Sequence, residues 1–245
     1  MLLVCLGTGF AIRLLRRLPR LVFVAALAGV SPLGVLLAGA PYESLYFFGR
    51  TLTLDVTARL FLAPAIALAA ALAFFGPLTF DHASDAPVQV IANSQGAYFF
   101  WSLAPLVLAI ALDSFPLAVF CWVVGLIVLM LAANSRREGR VGGAAQFLLL
   151  TVIASACLLL VNRFVDIYPF TPENLDLVRD TVAFVALGFG LLLAVVPFSL
   201  WLGPLADEMP LLGLTFLVGI AQPVGLWLLI QQMEAVPWLV TKSPL

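Results

Sequence analysis

The chain has 245 residues, 63% of them hydrophobic and 10% charged, with a formal net charge of -1 and a mean hydropathy of +1.14. Soluble domains run nearer ~45–50% apolar and ~25% charged, so this composition excludes an ordinary soluble domain and points to an integral membrane protein. A charge so close to neutral argues against a nucleic-acid partner, and apolar runs of about 15–24 residues are too continuous for a β-barrel, whose strands alternate over about 10 residues. The expected fold is all-α: one polytopic transmembrane helix bundle over residues 1–245, in contact with the lipid bilayer, in a plasma membrane such as the bacterial inner membrane.

The first apolar stretch, Leu2–Ile12, reaches span length when Leu14, Leu15 and Leu18 are included and the arginines extend to the interface, giving a span near 2–18. Its basic residues follow the apolar run instead of preceding it, which argues against a signal peptide. Arg13, Arg16, Arg17 and Arg20 form a basic connector. A second span covers 21–39, with Ser31-Pro32 as a kink. In the loop over 41–54, Tyr42, Tyr46, Phe47 and Phe48 read as an interfacial aromatic belt. The third span covers 52–75, and Asp55 and Arg59 are placed to pair at i,i+4 near its start.

Residues 76–97 read as the longest early connection. It contains His82, the only histidine, between Asp81 and Asp85, a constellation better read as a solvated turn than as a metal site. Spans over 98–112 and 115–133 form a hairpin joined by Asp113-Ser114. A second basic connector, with Arg136, Arg137 and Arg140, leads into a span over 144–161 closed by Asn162, Arg163 and Asp166. An acidic loop, with Thr171-Pro172-Glu173 as a helix start, precedes spans over 182–202 and 211–230. Trp238 in the tail reads as an interface anchor. Eight spans put an even number between the two basic connectors, so both fall on the cytoplasmic side and both termini outside; the acidic turn Asp207-Glu208 would then also be cytoplasmic. Cys5, Cys121 and Cys157 lie in apolar runs without paired spacing, as small packing residues do.

The last two spans enclose the most distinctive stretch. Pro197 interrupts the first of them about one turn before Trp201, whose ring is expected at the bilayer surface. Pro204 and Pro210 bracket the acidic turn, and Gln222-Pro223 puts an amide and a second break into the final span. Broken helices around a polar side chain mark the transport paths of many membrane carriers.

The string PFSLWLGPLADEMP…LVGIAQPVGLWLL resembles the segment P-L-H-x-W-L-P-D-A…P…K-x-G-x-Y of antiporter-like membrane subunits. That family comprises the proton-pumping subunits of respiratory complex I and the large subunits of Mrp-type cation/proton antiporters. Pro197, Trp201, Leu202, Pro210 and Gly225 match; Ser199 stands at the family's His, Gly203-Pro204 at its Pro-Asp and Gln222 at a Lys. LTLDVTARLFL is similar to the family's third span. Val119-Phe120-Cys121-Trp122-Val123 is similar to F-x-F-W-E, with Val123 at the Glu. AAQFLLL is similar to A-A-x-K-Y-F, with Gln146 near the Lys. Gly188-Phe189-Gly190-Leu191-Leu192 is similar to G-F-x-x-K, with Leu192 at the Lys.

The resemblance implies the first inverted repeat of the family fold, about half of its ~14 spans, with a candidate relic transport path at Val123, Gln146, Leu192, Pro197, Trp201, Gln222 and Pro223. It also implies partners among the membrane subunits of a larger complex. Two of the residues at the family's charged positions are amides and two are aliphatic, so none can titrate. Three functions remain open: a degenerate, non-pumping subunit of a complex I-like or Mrp-like assembly, an independent permease for a neutral solute or water along Gln146 and Gln222, or half of a split antiporter. No Gly-rich phosphate loop, paired catalytic carboxylates, haem motif or iron–sulfur cysteine pattern occurs in the sequence, so neither a cofactor nor catalysis by this chain alone is expected.

Overall fold

The computed structural model of the chain describes residues 1–15, 18–39, 45–47, 50–52, 56–80, 86–133, 142–195, 199–209 and 211–241. Apart from a short antiparallel hairpin, β1 (Leu45–Phe47) and β2 (Arg50–Leu52), these residues are almost entirely helical. The hairpin falls in the stretch expected as a plain aromatic loop. The helices are α1 (Leu2–Leu14), α2 (Pro19–Gly39), α3 (Val56–Phe80), α4 (Ala86–Ala111), α5 (Phe115–Ala133), α6 (Gly142–Ile167) and α7 (Leu175–Leu192). They are followed by the short α8 (Leu202–Glu208), α9 (Leu211–Phe216), α10 (Gln222–Ala235) and α11 (Trp238–Thr241).

Among the described residues, three helical stretches are long and apolar enough to cross a membrane, Leu21–Gly39, Gly142–Phe170 and Gly213–Ala235, against the eight expected. The difference has physical causes. With 13 residues, α1 is about 20 Å long at ~1.5 Å per residue, short of a ~30 Å hydrocarbon core. Helix α7 starts well before the expected 182, because Asn174 caps it with a side-chain oxygen that accepts from the Leu177 N–H at 3.2 Å. Its first turns therefore carry Asp176, Arg179 and Asp180.

The connection expected over 76–97 is also mostly helix: α3 runs on to Phe80 and α4 begins at Ala86. The stretch from Val88 to Gln95 is polar in composition but holds no Gly or Pro, and Pro87 suits a first helical turn, so nothing halts the helix there. The Asp81, His82 and Asp85 cluster lies outside the described residues, as do Asp55, Arg16, Arg17, Arg136, Arg137 and Arg140. The hairpin turn at Asp113-Ser114 is where the sequence places it.

In the bundle, α1 packs against α2 and α4, α2 against α3, α4 against α5, and α6 against α5, α7 and α8. The largest fully buried side chains include Trp122, Trp201, Phe147 and Phe216, while Leu3, Phe10 and Leu14 on α1, Val24 and Val35 on α2, and Leu149 and Val152 on α6 are exposed. A protein apolar on both its inner and outer helix faces suits hydrocarbon surroundings, where no water competes for the outer face.

The start of α6 is held from far along the chain. The Glu208 carboxylate accepts from the Gly143 N–H at 3.0 and 2.9 Å and from the Ala144 N–H at 3.1 Å. A carboxylate at a helix N-terminus satisfies orphan donors and meets the positive end of the helix dipole. The backbone of α8 comes so near that a Cβ at position 143 would sit 2.6 Å from the Pro204 carbonyl. Glycine is required there. Charge-assisted bonds of this kind contribute about 1–2 kcal/mol, so Glu208→Gln should lower the melting temperature of the protein in mild detergent by a few degrees. An unchanged melt would show that the cap contributes nothing.

Candidate functional site

The two breaks read from the sequence are both present, one displaced and one of a different kind. The expected span over 182–202 stops at Leu192. Ala194 takes a left-handed conformation, φ 54, and the Val195 N–H donates to the Gly190 carbonyl at 3.1 Å. That six-to-one bond with a left-handed residue beside it is a Schellman ending, and it normally favours glycine where Ala194 stands. In this motif the carbonyl next in line, Leu191, is the usual acceptor for the left-handed residue's N–H. Here Leu191 receives the indole N–H of Trp201 at 2.8 Å. Trp201 is fully buried and Phe147 of α6 meets its ring edge-on at 4.5 Å. The expectation of Trp201 at the bilayer surface is therefore corrected: its polar tip finds a helix-end carbonyl inside the protein instead of interfacial water.

The second break is one turn of π-helix, Leu217–Ala221, leading straight into Gln222-Pro223 at the start of α10. Proline lacks an N–H and its ring crowds the carbonyl four residues back, Gly219; a wider π turn relieves the crowding and redirects the carbonyls. The Ala221 carbonyl accepts the indole N–H of Trp122, from α5, at 2.8 Å in a buried bond. Gly225 makes room for it, because a Cβ there would overlap the Trp122 ring. On its other side Trp122 stacks on Phe189 of α7, centroids 6.1 Å apart at 26°.

The candidate positions thus have distinct fates. Val123 and Leu192 are buried core residues, next in sequence to Trp122 and to the bonded Leu191. Gln222 and Pro223 are half-buried at the π turn, and Gln146 is exposed on the outside of α6. Pro197 lies outside the described residues. Among the described residues, the buried polar side chains are Thr8, Ser102, Thr151, Thr181 and Gln232. None of them is ionisable.

Trp122, Trp201 and Gly225 stand out in the sequence, but their partners do not. Phe147 and Phe189 sit inside the quoted strings AAQFLLL and GFGLL, where an aromatic residue one or two places from an interrupted helix was the available signal. Glu208 carried only the appearance of a surface turn, and Gln232 that of a polar tail. Comparison of the chain with family models and with curated proteins finds no match to either.

A third buried indole supplies a control. The N–H of Trp227 on α10 has no acceptor among the described residues, its ring lying 5.3 Å from that of Phe61. Trp201→Phe strands the Leu191 carbonyl and Trp122→Phe removes a buried hydrogen bond to Ala221, each at a cost of about 1–3 kcal/mol beyond lost packing. Trp227→Phe incurs only the packing part. Unfolding of the three variants in detergent should show the first two losing clearly more stability than the third; equal losses would mean the indole bonds contribute nothing.

Proposed function

We propose that the chain is a degenerate antiporter-like membrane subunit, filling a structural place in a larger complex I-like or Mrp-like assembly of a bacterial inner membrane without moving protons itself. Its eight apolar segments cross the bilayer in this reading, the short α1 and the charged start of α7 being completed by interfacial residues and by neighbouring subunits. The exposed apolar residues of α1, α2 and α6 are the surfaces that lipid and those neighbours cover.

The observation that carries the reading is the neutrality of the interior around the two helix breaks. A proton path needs titratable stations or water held between them. At the breaks stand Val123, Leu192 and Gln222, and the carbonyls of Leu191 and Ala221 accept indole N–H groups. The interruptions are kept, and aromatic side chains pack around them.

The test is transport by the chain alone. In liposomes carrying an internal pH dye, the purified chain should pass protons no faster than empty liposomes under an imposed potential. A saturable proton flux abolished by Gln222→Leu would overturn the reading and make Gln222 part of a working path.

A further inference from the structure

The first acidic residue of the chain is Glu43, and Arg13, Arg16, Arg17 and Arg20 all precede it. Arg13 stands exposed in the last turn of α1, where a positive charge suits the negative end of the helix dipole. Its guanidinium donates to the Tyr98 hydroxyl of α4 at 3.1 Å. The same group lies 5.8 Å from the ring centre of Tyr98 and 5.6 Å from that of Trp101. The two rings meet edge to face, centroids 5.5 Å apart at 88°. Trp101 comes this close to α1 because residue 9, one turn before Arg13, is glycine; a Cβ there would overlap the indole. The arginine head is thus held over two packed aromatic rings.

What this cluster lacks is a negative charge. Among the described residues the partners of the Arg13 guanidinium are Tyr98 and Trp101, and neither is a carboxylate. Helix α1 and the two helices packed against it, α2 and α4, contain no Asp or Glu along their whole length. A guanidinium has several N–H donors, and Tyr98 takes one of them. The phenol, accepting from Arg13, keeps its own hydrogen to donate, and an indole can only donate. Positive charge and hydrogen-bond donors therefore meet at one point, with no acidic partner among the described residues. Beside them Leu3, Phe10 and Leu14 follow one another along α1 at helical spacing, 86%, 66% and 75% exposed. That strip of apolar surface suits an acyl chain.

We propose that Arg13, Tyr98 and Trp101 bind the phosphate of an anionic phospholipid, whose acyl chain lies along the Leu3, Phe10 and Leu14 strip of α1. The planar guanidinium fork matches two phosphate oxygens, and the phenol and indole hydrogens are donors for the rest. A soluble phosphate would meet the donors and leave the apolar strip uncovered; a lipid meets both. Arg16, Arg17 and Arg20, next in the sequence, add attraction toward an acidic membrane surface. The inference uses only that the chain lies in a bilayer, and it holds whether or not the subunit conducts protons.

The test uses the full chain, with whatever assembly it carries in mild detergent, placed in phosphatidylcholine nanodiscs containing a minor fraction of phosphatidylglycerol. Lipid that stays with the protein is identified by native mass spectrometry as that fraction is raised. Phosphatidylglycerol should be retained saturably and in preference to phosphatidylcholine. Arg13→Gln should weaken its retention about tenfold, the size of one hydrogen bond between charged groups. Tyr98→Phe leaves every charge in place and should still weaken retention several-fold. Arg20→Gln removes the same charge from the same connector and should cost less than Arg13→Gln. Millimolar inorganic phosphate should leave the bound lipid in place. The proposal fails if phosphatidylglycerol is held no better than phosphatidylcholine or if Tyr98→Phe behaves as the parent does. It fails equally if Arg20→Gln costs as much as Arg13→Gln, which is plain charge attraction, or if phosphate displaces the lipid, which assigns the donors to a soluble anion.

Discussion

Two indole N–H groups hold together the parts of this chain that cannot satisfy themselves. Where a helix stops inside an apolar bundle, its last carbonyls have no water to accept from, and each one left bare costs several kcal/mol in hydrocarbon. The chain interrupts helices twice, at Leu192 and at the π turn before Pro223, and at each place a tryptophan from another element donates to a backbone carbonyl. Trp201 reaches back to Leu191 and Trp122 crosses from α5 to Ala221, both at 2.8 Å. Around them the packing follows: Phe147 against Trp201, Phe189 against Trp122, and a glycine at 225 so that the second ring can approach. The breaks are thereby compatible with a closed core.

The two ends of the bundle differ in their polar contacts. At one, the Glu208 carboxylate meets the first N–H groups of α6, which gives the acidic turn a physical use. Side-chain charge and helix dipole there oppose and cancel. At the other, a cavity lined by Asp113, Ser114, Asn162 and Gln232 lies where α6 and α10 end and α5 begins.

Helical character, the Asp113-Ser114 turn and the break at Gln222-Pro223 were legible in the sequence, because apolar runs, a short polar pair and a proline have direct local consequences. Three things were not. The end of α7 at Leu192 depends on Ala194 entering a conformation that its side chain disfavours, which only tertiary packing can impose. The burial of Trp201 depends on a carbonyl ten residues back being free. The role of Glu208 depends on Gly143, some 65 residues distant, and no local pattern encodes such a contact. Gln232 was hidden differently: it follows an apolar span and reads as the start of a tail, whereas α10 continues to Ala235 and carries it into the interior. Gln222, which the sequence singled out, is only half-buried.

The account stands on the helix interruptions being dry and bonded instead of hydrated. Hydrogen–deuterium exchange of the tryptophan indole N–H groups, followed by NMR in the intact protein, measures this directly. Trp122 and Trp201 should retain their indole protons long after Trp238, half-exposed and stacked on Tyr168, has exchanged. Exchange of Trp122 or Trp201 as fast as Trp238 would place water at the breaks and contradict the account.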